Sequence, residues 1–250
     1  MSSLTVLVVG ATGSVGVHVV REALARGHRV RALVRSSARA QDLPEGAEVV
    51  VGDLTVAETL GAAVDGIDAV VFTHGSHWGS GAAESVDYGA VRNVLTALDG
   101  RPVRISLMTA IGTTDRANDG HDWKRRAERL VRASGNAYTV ARPGWFDYNE
   151  PDERRIVMLQ GDLRSTASPA DGVIARDQIA RVLVEALTTP EADHTTLELV
   201  AERGPAQDDL EPVFGALVAD TTIDGALDKD NMPLAEEPAR VRDDLAAVGQ

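Results

Sequence analysis

The chain has 250 residues, 44% of them hydrophobic, with 38 acidic against 25 basic side chains and a formal net charge of −13. This much apolar side chain buries a full core and excludes general disorder, while the acidic balance argues against nucleic acid or an anionic membrane surface as a partner. The lack of cysteine excludes disulfides, thiolate catalysis, iron–sulfur clusters and Cys-ligated zinc, and no apolar run approaches the ~20 residues of a membrane span.

Met1, Ser2 and Ser3 lead straight into an apolar run with no basic segment, so a secretory signal is not expected and a cytoplasmic protein is. Residues 4–9 (LTVLVV) read as a buried strand. Residues 14–26 carry Val15, Val19, Val20, Ala23 and Leu24 at helical spacing, and Gly27 ends that helix. Residues 29–34 and 47–51 read as the second and third strands. Residues 55–64 read as a helix, with Thr55 as N-cap and Glu58 completing a capping box. A fourth strand over 67–73, a helix over 84–98, a fifth strand over 103–109, a long charged amphipathic helix over 119–134 and a sixth strand over 137–141 follow. Near-continuous apolar strands alternating with helices predict an α/β fold, a doubly wound parallel sheet covered on both faces.

Past Pro143 the regularity loosens. Residues 155–160 and 195–200 read as strands, 176–187 and 205–218 as helices. The tail from Asp220 is acidic and interrupted by Pro233 and Pro238; it suits packing on the preceding lobe or an oligomer contact. Without a Gly/Ser-rich linker or a repeat, residues 1–250 read as one Rossmann domain. Its core spans 4–145, and 146–250 form a small substrate lobe and tail; monomer and homodimer both stay open.

The informative segment is Gly10-Ala11-Thr12-Gly13-Ser14-Val15-Gly16, which follows a strand and opens a helix. Gly10 permits the tight turn, Gly13 the approach of backbone to a pyrophosphate, and Gly16 close packing of the helix. Free amides at the helix start then hold the phosphates. An NAD site usually carries an acid at the end of the second strand, whereas here Val34 is followed by Arg35 and Ser36, a pair suited to a 2′-phosphate. NADP(H) is therefore preferred, with NAD(H) the alternative. Asp53 and Leu54 follow the third strand and suit the adenine amino group and ring. Thr73, His74 and Gly75 follow the fourth, at the sheet edge where ligands bind. His74 and His77 lack an acid at ligand spacing, so a metal is not expected.

Together these residues resemble the atypical short-chain dehydrogenase/reductases, a group that includes NmrA-like regulators and small quinone or flavin reductases. The resemblance extends through Asp87-Tyr88-Gly89 and Asn93, Lys124-x-x-x-Glu128, Ser134-Gly135, Tyr138 to Gly144, and Ile174 to Ala180, covering residues 4–200. It implies that Lys124 holds the nicotinamide ribose and that Pro143 and Gly144 pass near the nicotinamide. The competing reading makes Lys124 a surface cation paired with Glu128. Only Lys124 and Lys229 are lysines in a chain otherwise committed to arginine, which favours the first reading. One departure matters: the superfamily's Tyr-x-x-x-Lys has Gly120 in place of its tyrosine, and none of Tyr88, Tyr138 and Tyr148 precedes a lysine by four. Thr109, where a serine is common, is the remaining candidate donor at the fifth strand. His77, Trp78, Trp145 and Phe146 are expected to line the substrate, the three aromatics as a wall for a planar molecule. The implied activity is NADPH-dependent reduction of a quinone or another conjugated aromatic carbonyl. A dinucleotide-sensing regulator is the alternative, and a nucleotide-sugar epimerase or dehydratase is disfavoured by the missing tyrosine.

Overall fold

The computed structural model describes residues 3–77, 79–116, 118–164, 166–229 and 231–249. Its centre is a parallel sheet of β1 (Thr5–Val9), β2 (Arg29–Val34), β3 (Glu48–Val51), β4 (Ala69–Phe72), β5 (Arg104–Met108), β6 (Ala137–Pro143) and β10 (Thr195–Glu202). The spatial order 3-2-1-4-5-6-10 reverses direction between β1 and β4, so the chain leaves a crevice at the carboxyl ends of those two strands. Beyond β10 lie the two-residue strands β9 (Val173–Ile174) and β7 (Trp145–Phe146), while β8 (Arg155–Leu159) pairs antiparallel with β10.

Both faces of the sheet are covered, which is why its strands are apolar without alternation. Val6 and Val8 point to one face, under α1 (Gly16–Ala25) and α5 (Arg176–Glu185). Leu7 and Val9 point to the other, under α2 (Gly61–Val64), α3 (Gly89–Leu98) and α4 (Asp119–Ala133). Among the described residues no helix is long and apolar enough to cross a membrane.

Three expected segments differ. Residues 55–64 do not form one capped helix: the Asp53 carboxylate accepts from the Thr55 amide (2.9 Å) and hydroxyl (2.7 Å), closing a side-chain turn. A 3₁₀ turn over Ala57–Thr59 and the single turn of α2 follow. Residues 205–218 are helical only at α6 (Glu211–Phe214), where Pro212 is tolerated in the first turn. The acidic tail packs mainly on the core helix α4 and not on the lobe that precedes it, and it ends in α7 (Ala239–Val248), which lies on α4 and buries Val241 and Leu245.

What holds that tail is charge. Arg126 bonds Glu237 at 2.7 Å, Arg129 bonds Asp224 at 2.7 Å and Glu237 at 2.8 Å, and Arg132 reaches Asp220 at 3.2 Å. All three arginines are buried. Guanidinium groups are suited to this, since their planar fork satisfies two carboxylate oxygens at once. The outward arginine face of α4 is therefore an interior surface with tail counter-charges supplied from 88 to 111 residues downstream.

Candidate functional site

The crevice opens on the glycine loop. Gly10 has φ +85°, and a Cβ there would sit 2.8 Å from the His74 amide nitrogen, so only glycine lets the loops after β1 and β4 touch. A Cβ on Gly16 would lie 2.0 Å from the Gly10 carbonyl oxygen, which fixes how tightly α1 starts against the turn. Thr12, Gly13 and Ser14 are exposed, and the Val15 side chain is buried in the core, leaving only its backbone to a ligand. Among the described residues no carbonyl accepts from the amides of Thr12, Ser14 or Val15. Unpaired amides at the start of a ten-residue helix make an anion cradle, and a dinucleotide pyrophosphate fits it.

Around the rim, Arg35 and Ser36 are exposed at the end of β2. Asp53 is exposed after β3, its carboxyl held below the usual range by the Thr55 hydrogen bonds and, more weakly, by Arg35. Half-buried Leu54 packs on the core, and its carbonyl accepts from Asn93 at 2.8 Å. Thr73 is buried and spends its hydroxyl on the Val9 carbonyl at 3.0 Å, so it braces the crevice rather than facing a ligand. His74 is half-buried, its Nδ1 without a hydrogen-bond partner, and burial pushes its pKa down to about 4. It is a neutral imidazole at pH 7. His77 is exposed, and among the described residues no group of three or more His, Cys, Asp or Glu is placed to hold a metal.

Lys124 projects from α4 to this same place. Its Nζ lies 2.5 Å from Asp87 Oδ1 and 3.7 Å from where a Gly75 Cβ would be, with its side chain 21% exposed. Asp87 is buried and also takes the Ser76 amide and hydroxyl, tying the loop after β4 to the lysine. Lys124 therefore stands at the crevice and does not pair with Glu128. Glu128 turns inward instead. It is fully buried and accepts from Arg142 Nη2 at 2.7 Å, Arg142 Nε at 3.0 Å, Arg132 at 3.2 Å and the Thr109 hydroxyl at 2.7 Å. Burial alone would raise its pKa, but the Arg142 guanidinium holds it at about 2. Thr109 thus has its proton committed to Glu128, which removes it as the free donor the sequence suggested.

Two of the three tyrosines are committed as well. Tyr88 donates to Asp244 at 2.7 Å and Tyr138 to Asp220 at 3.1 Å, and burial first, then those acids, raise both phenols well above the usual value. Tyr148 is exposed and stacks edge-on with Trp145, ring centroids 5.9 Å apart. The expected aromatic wall does not form from Trp145 and Phe146 together. Successive strand residues point to opposite faces; Trp145 is 36% exposed, while Phe146 packs against the core beneath Arg176. Trp78 lies outside the described residues. β6 runs two residues past the expected end, to Pro143, and Gly144 follows it: the Pro143 carbonyl accepts from the Ile111 amide, and a Cβ on Gly144 would meet the Gly172 oxygen at 2.4 Å. Sequence reasoning overlooked Asp87, Glu128 and Glu198 as working groups. For Glu198 there was a signal, an acid set between Leu197 and Leu199 in mid-strand.

The chain is similar to known proteins in sequence and fold. A family model described as NAD(P)H-binding matches residues 10–190. Sanguinarine reductase of Eschscholzia californica is 26% identical over 261 residues, spanning 84% of this chain and 95% of its own. An oxidoreductase from Lactococcus lactis superposes with a TM-score of 0.68 at 15% identity, over 85% of this chain and 96% of its own. An NADPH-dependent quinone oxidoreductase from Escherichia coli, complexed with NADPH, gives 0.60 at 19% identity, over 79% and 71%.

Proposed function

This chain belongs to the NAD(P)H-binding family and is an NAD(P)H-dependent oxidoreductase, and from that premise we propose that it passes hydride from NADPH to a quinone or similar conjugated aromatic carbonyl. The observation that carries this reading is that Thr109, the candidate donor left by the sequence, is committed to Glu128, and that Tyr88 and Tyr138 are committed to tail acids. A site without its usual tyrosine suits an acceptor whose reduced form is stabilised by its own ring. Positioning of donor and acceptor is then the main catalytic contribution.

In this reading the amides of Thr12, Ser14 and Val15 hold the pyrophosphate, and Arg35 and Ser36 face the 2′-phosphate. Asp53 and Leu54 take the adenine, Lys124 the nicotinamide ribose, and His74, Gly75, Pro143 and Gly144 flank the nicotinamide. Residues 146–250, with His77 and Trp145, supply the substrate side. The bound dinucleotide supplies the hydride; the chain's own part is to orient it, and Asp87 holds the Lys124 ammonium in place. The resemblance to a reductase over 84% of the chain supports the assignment. Purified protein mixed with NADPH and a panel of quinones tests it. Acceptor-dependent loss of NADPH absorbance is expected; tight NADPH binding with no oxidation by any acceptor would replace the reductase with a cofactor sensor.

A further inference from the structure

A cavity of about 240 Å³ lies beside β10 and is lined by Ile111, Leu159, Gln160, Leu163, Arg164 and Glu198. It adjoins the strand ends described above. Ile111 sits two residues past Thr109 and donates its amide to Pro143, so one wall of the cavity is the joint between β5 and β6. That wall is pinned: Asp162, fully buried, accepts from the amides of Gly112 and Thr114, both at 2.7 Å. The rim is apolar, Leu163 being 74% exposed. A flat aromatic molecule can lie on Ile111, Leu159 and Leu163, with its polar end against the three polar side chains.

Glu198 is the unusual group. Its side chain is only 4% exposed, and its Oε1 is buried without a hydrogen-bond partner. The nearest cation, Arg142, is 3.6 Å from it and is already engaged by Glu128 and by Asp228 at 2.6 Å. Desolvation favours the protonated form of an acid whose nearest cation is engaged elsewhere. Burial raises its pKa most, Asp162 and Asp228 raise it further, and Arg142 and the Asp162 amide oppose, leaving it at about 7. Arg164 lines the same cavity.

The geometry points to the Glu198 carboxyl as the proton donor to the oxygen of an aromatic carbonyl seated in this cavity, a role that rests on the reductase reading above. In that step the acceptor takes a hydrogen with two electrons from the reduced dinucleotide, which is oxidised. The negative charge then left on the acceptor oxygen is neutralised as the O–H bond of the Glu198 carboxyl breaks and an O–H bond on the acceptor forms. Arg164 stabilises the charge as it develops, and the Glu198 carboxylate recovers its proton from water. Protonation thus comes from β10 and not from α4, where the superfamily's tyrosine would stand.

The test has two arms. Isotope-edited infrared spectroscopy of the protein without cofactor, compared with Glu198→Gln, is expected to show a carboxylic-acid C=O band that disappears as pH rises through about 7. A carboxylate throughout pH 5–8 would overturn the proposal whatever the activity. Kinetics form the second arm, with the fastest acceptor of a panel of quinones and aromatic ketones. Wild-type turnover should fall above pH 7, and Glu198→Gln should lose about a hundredfold at pH 6 with NADPH affinity unchanged. If Glu198→Gln keeps the wild-type rate and pH profile, the donor role falls while the reductase stands. If the wild type binds NADPH and reduces nothing, both fall.

Discussion

Replacing Glu128 by Gln preserves shape but removes one charge from the centre of the arginine network. In the wild type that carboxylate is fully buried between Arg142 and Arg132. Its pKa of about 2 lies below the ordinary 4.5, a gap worth about 3 kcal/mol at ~1.4 kcal/mol per unit. Breaking one partner of a buried pair costs ~3–5 kcal/mol in general, so the two routes to the magnitude agree. The sign is fixed by the depressed value: the contribution is present above pH 4.5 and disappears as pH falls through 2. Urea denaturation at pH 7 should therefore show Glu128→Gln destabilised by about 3 kcal/mol, equivalent to roughly 6–12 °C in Tm for a chain of this size. At pH 4 the gap should narrow by about 1 kcal/mol. A variant within 1 kcal/mol of wild type at pH 7, or a gap that ignores pH, would refute the idea that this carboxylate anchors the network.

Arg35→Ala should cost NADPH binding about 1.5–3 kcal/mol, read by fluorescence titration, and leave NADH affinity unchanged; equal affinity of the wild type for both cofactors would sink the 2′-phosphate assignment. Gly13→Val, at an exposed loop position, should abolish cofactor binding with the fold intact by circular dichroism, whereas Gly16→Val should also destabilise the protein, because its Cβ has no room. Lys124→Met should weaken NADPH binding and slow turnover, and Asp87→Asn should do the same to a smaller degree; calorimetry giving wild-type affinity for both would return Lys124 to the status of a bystander. Tyr88→Phe, Tyr138→Phe and Tyr148→Phe should each keep turnover within about tenfold, and a thousandfold loss in any of them would identify a proton donor other than Glu198.

The elements that sequence patterning located well are those governed by local periodicity. The second strand was placed at residues 29–34, and the glycine turn, the long α4 and the strand carrying Glu198 were legible for the same reason. The failures at 55–64 and 205–218 have a common cause. A side chain or proline competes with the helix backbone there, and Asp53 wins over the Thr55 cap by binding Thr55 itself. Long-range charge was the other blind spot. Nothing local in the sequence distinguishes Lys124 at the crevice from Glu128 in the interior, although they are one helical turn apart. Which of them is buried depends on Arg142, Asp87 and Asp228 arriving from other elements.

The clamp between α4 and the tail also sets an order of events during synthesis. Arg129 and its partner Glu237 are 108 residues apart in the chain. At ~5–20 residues per second a ribosome needs roughly 5–20 s to travel that distance. Until the tail is made, α4 lacks the counter-charges of Asp220, Asp224 and Glu237, with Arg132 paired only to Glu128 of its own helix, and for the first part of the interval β10 is not yet beside β6. The nascent chain meanwhile presents a basic helix on an open sheet edge, an attractive target for polyanions and for other unfinished chains. Completion of the acidic tail closes that window.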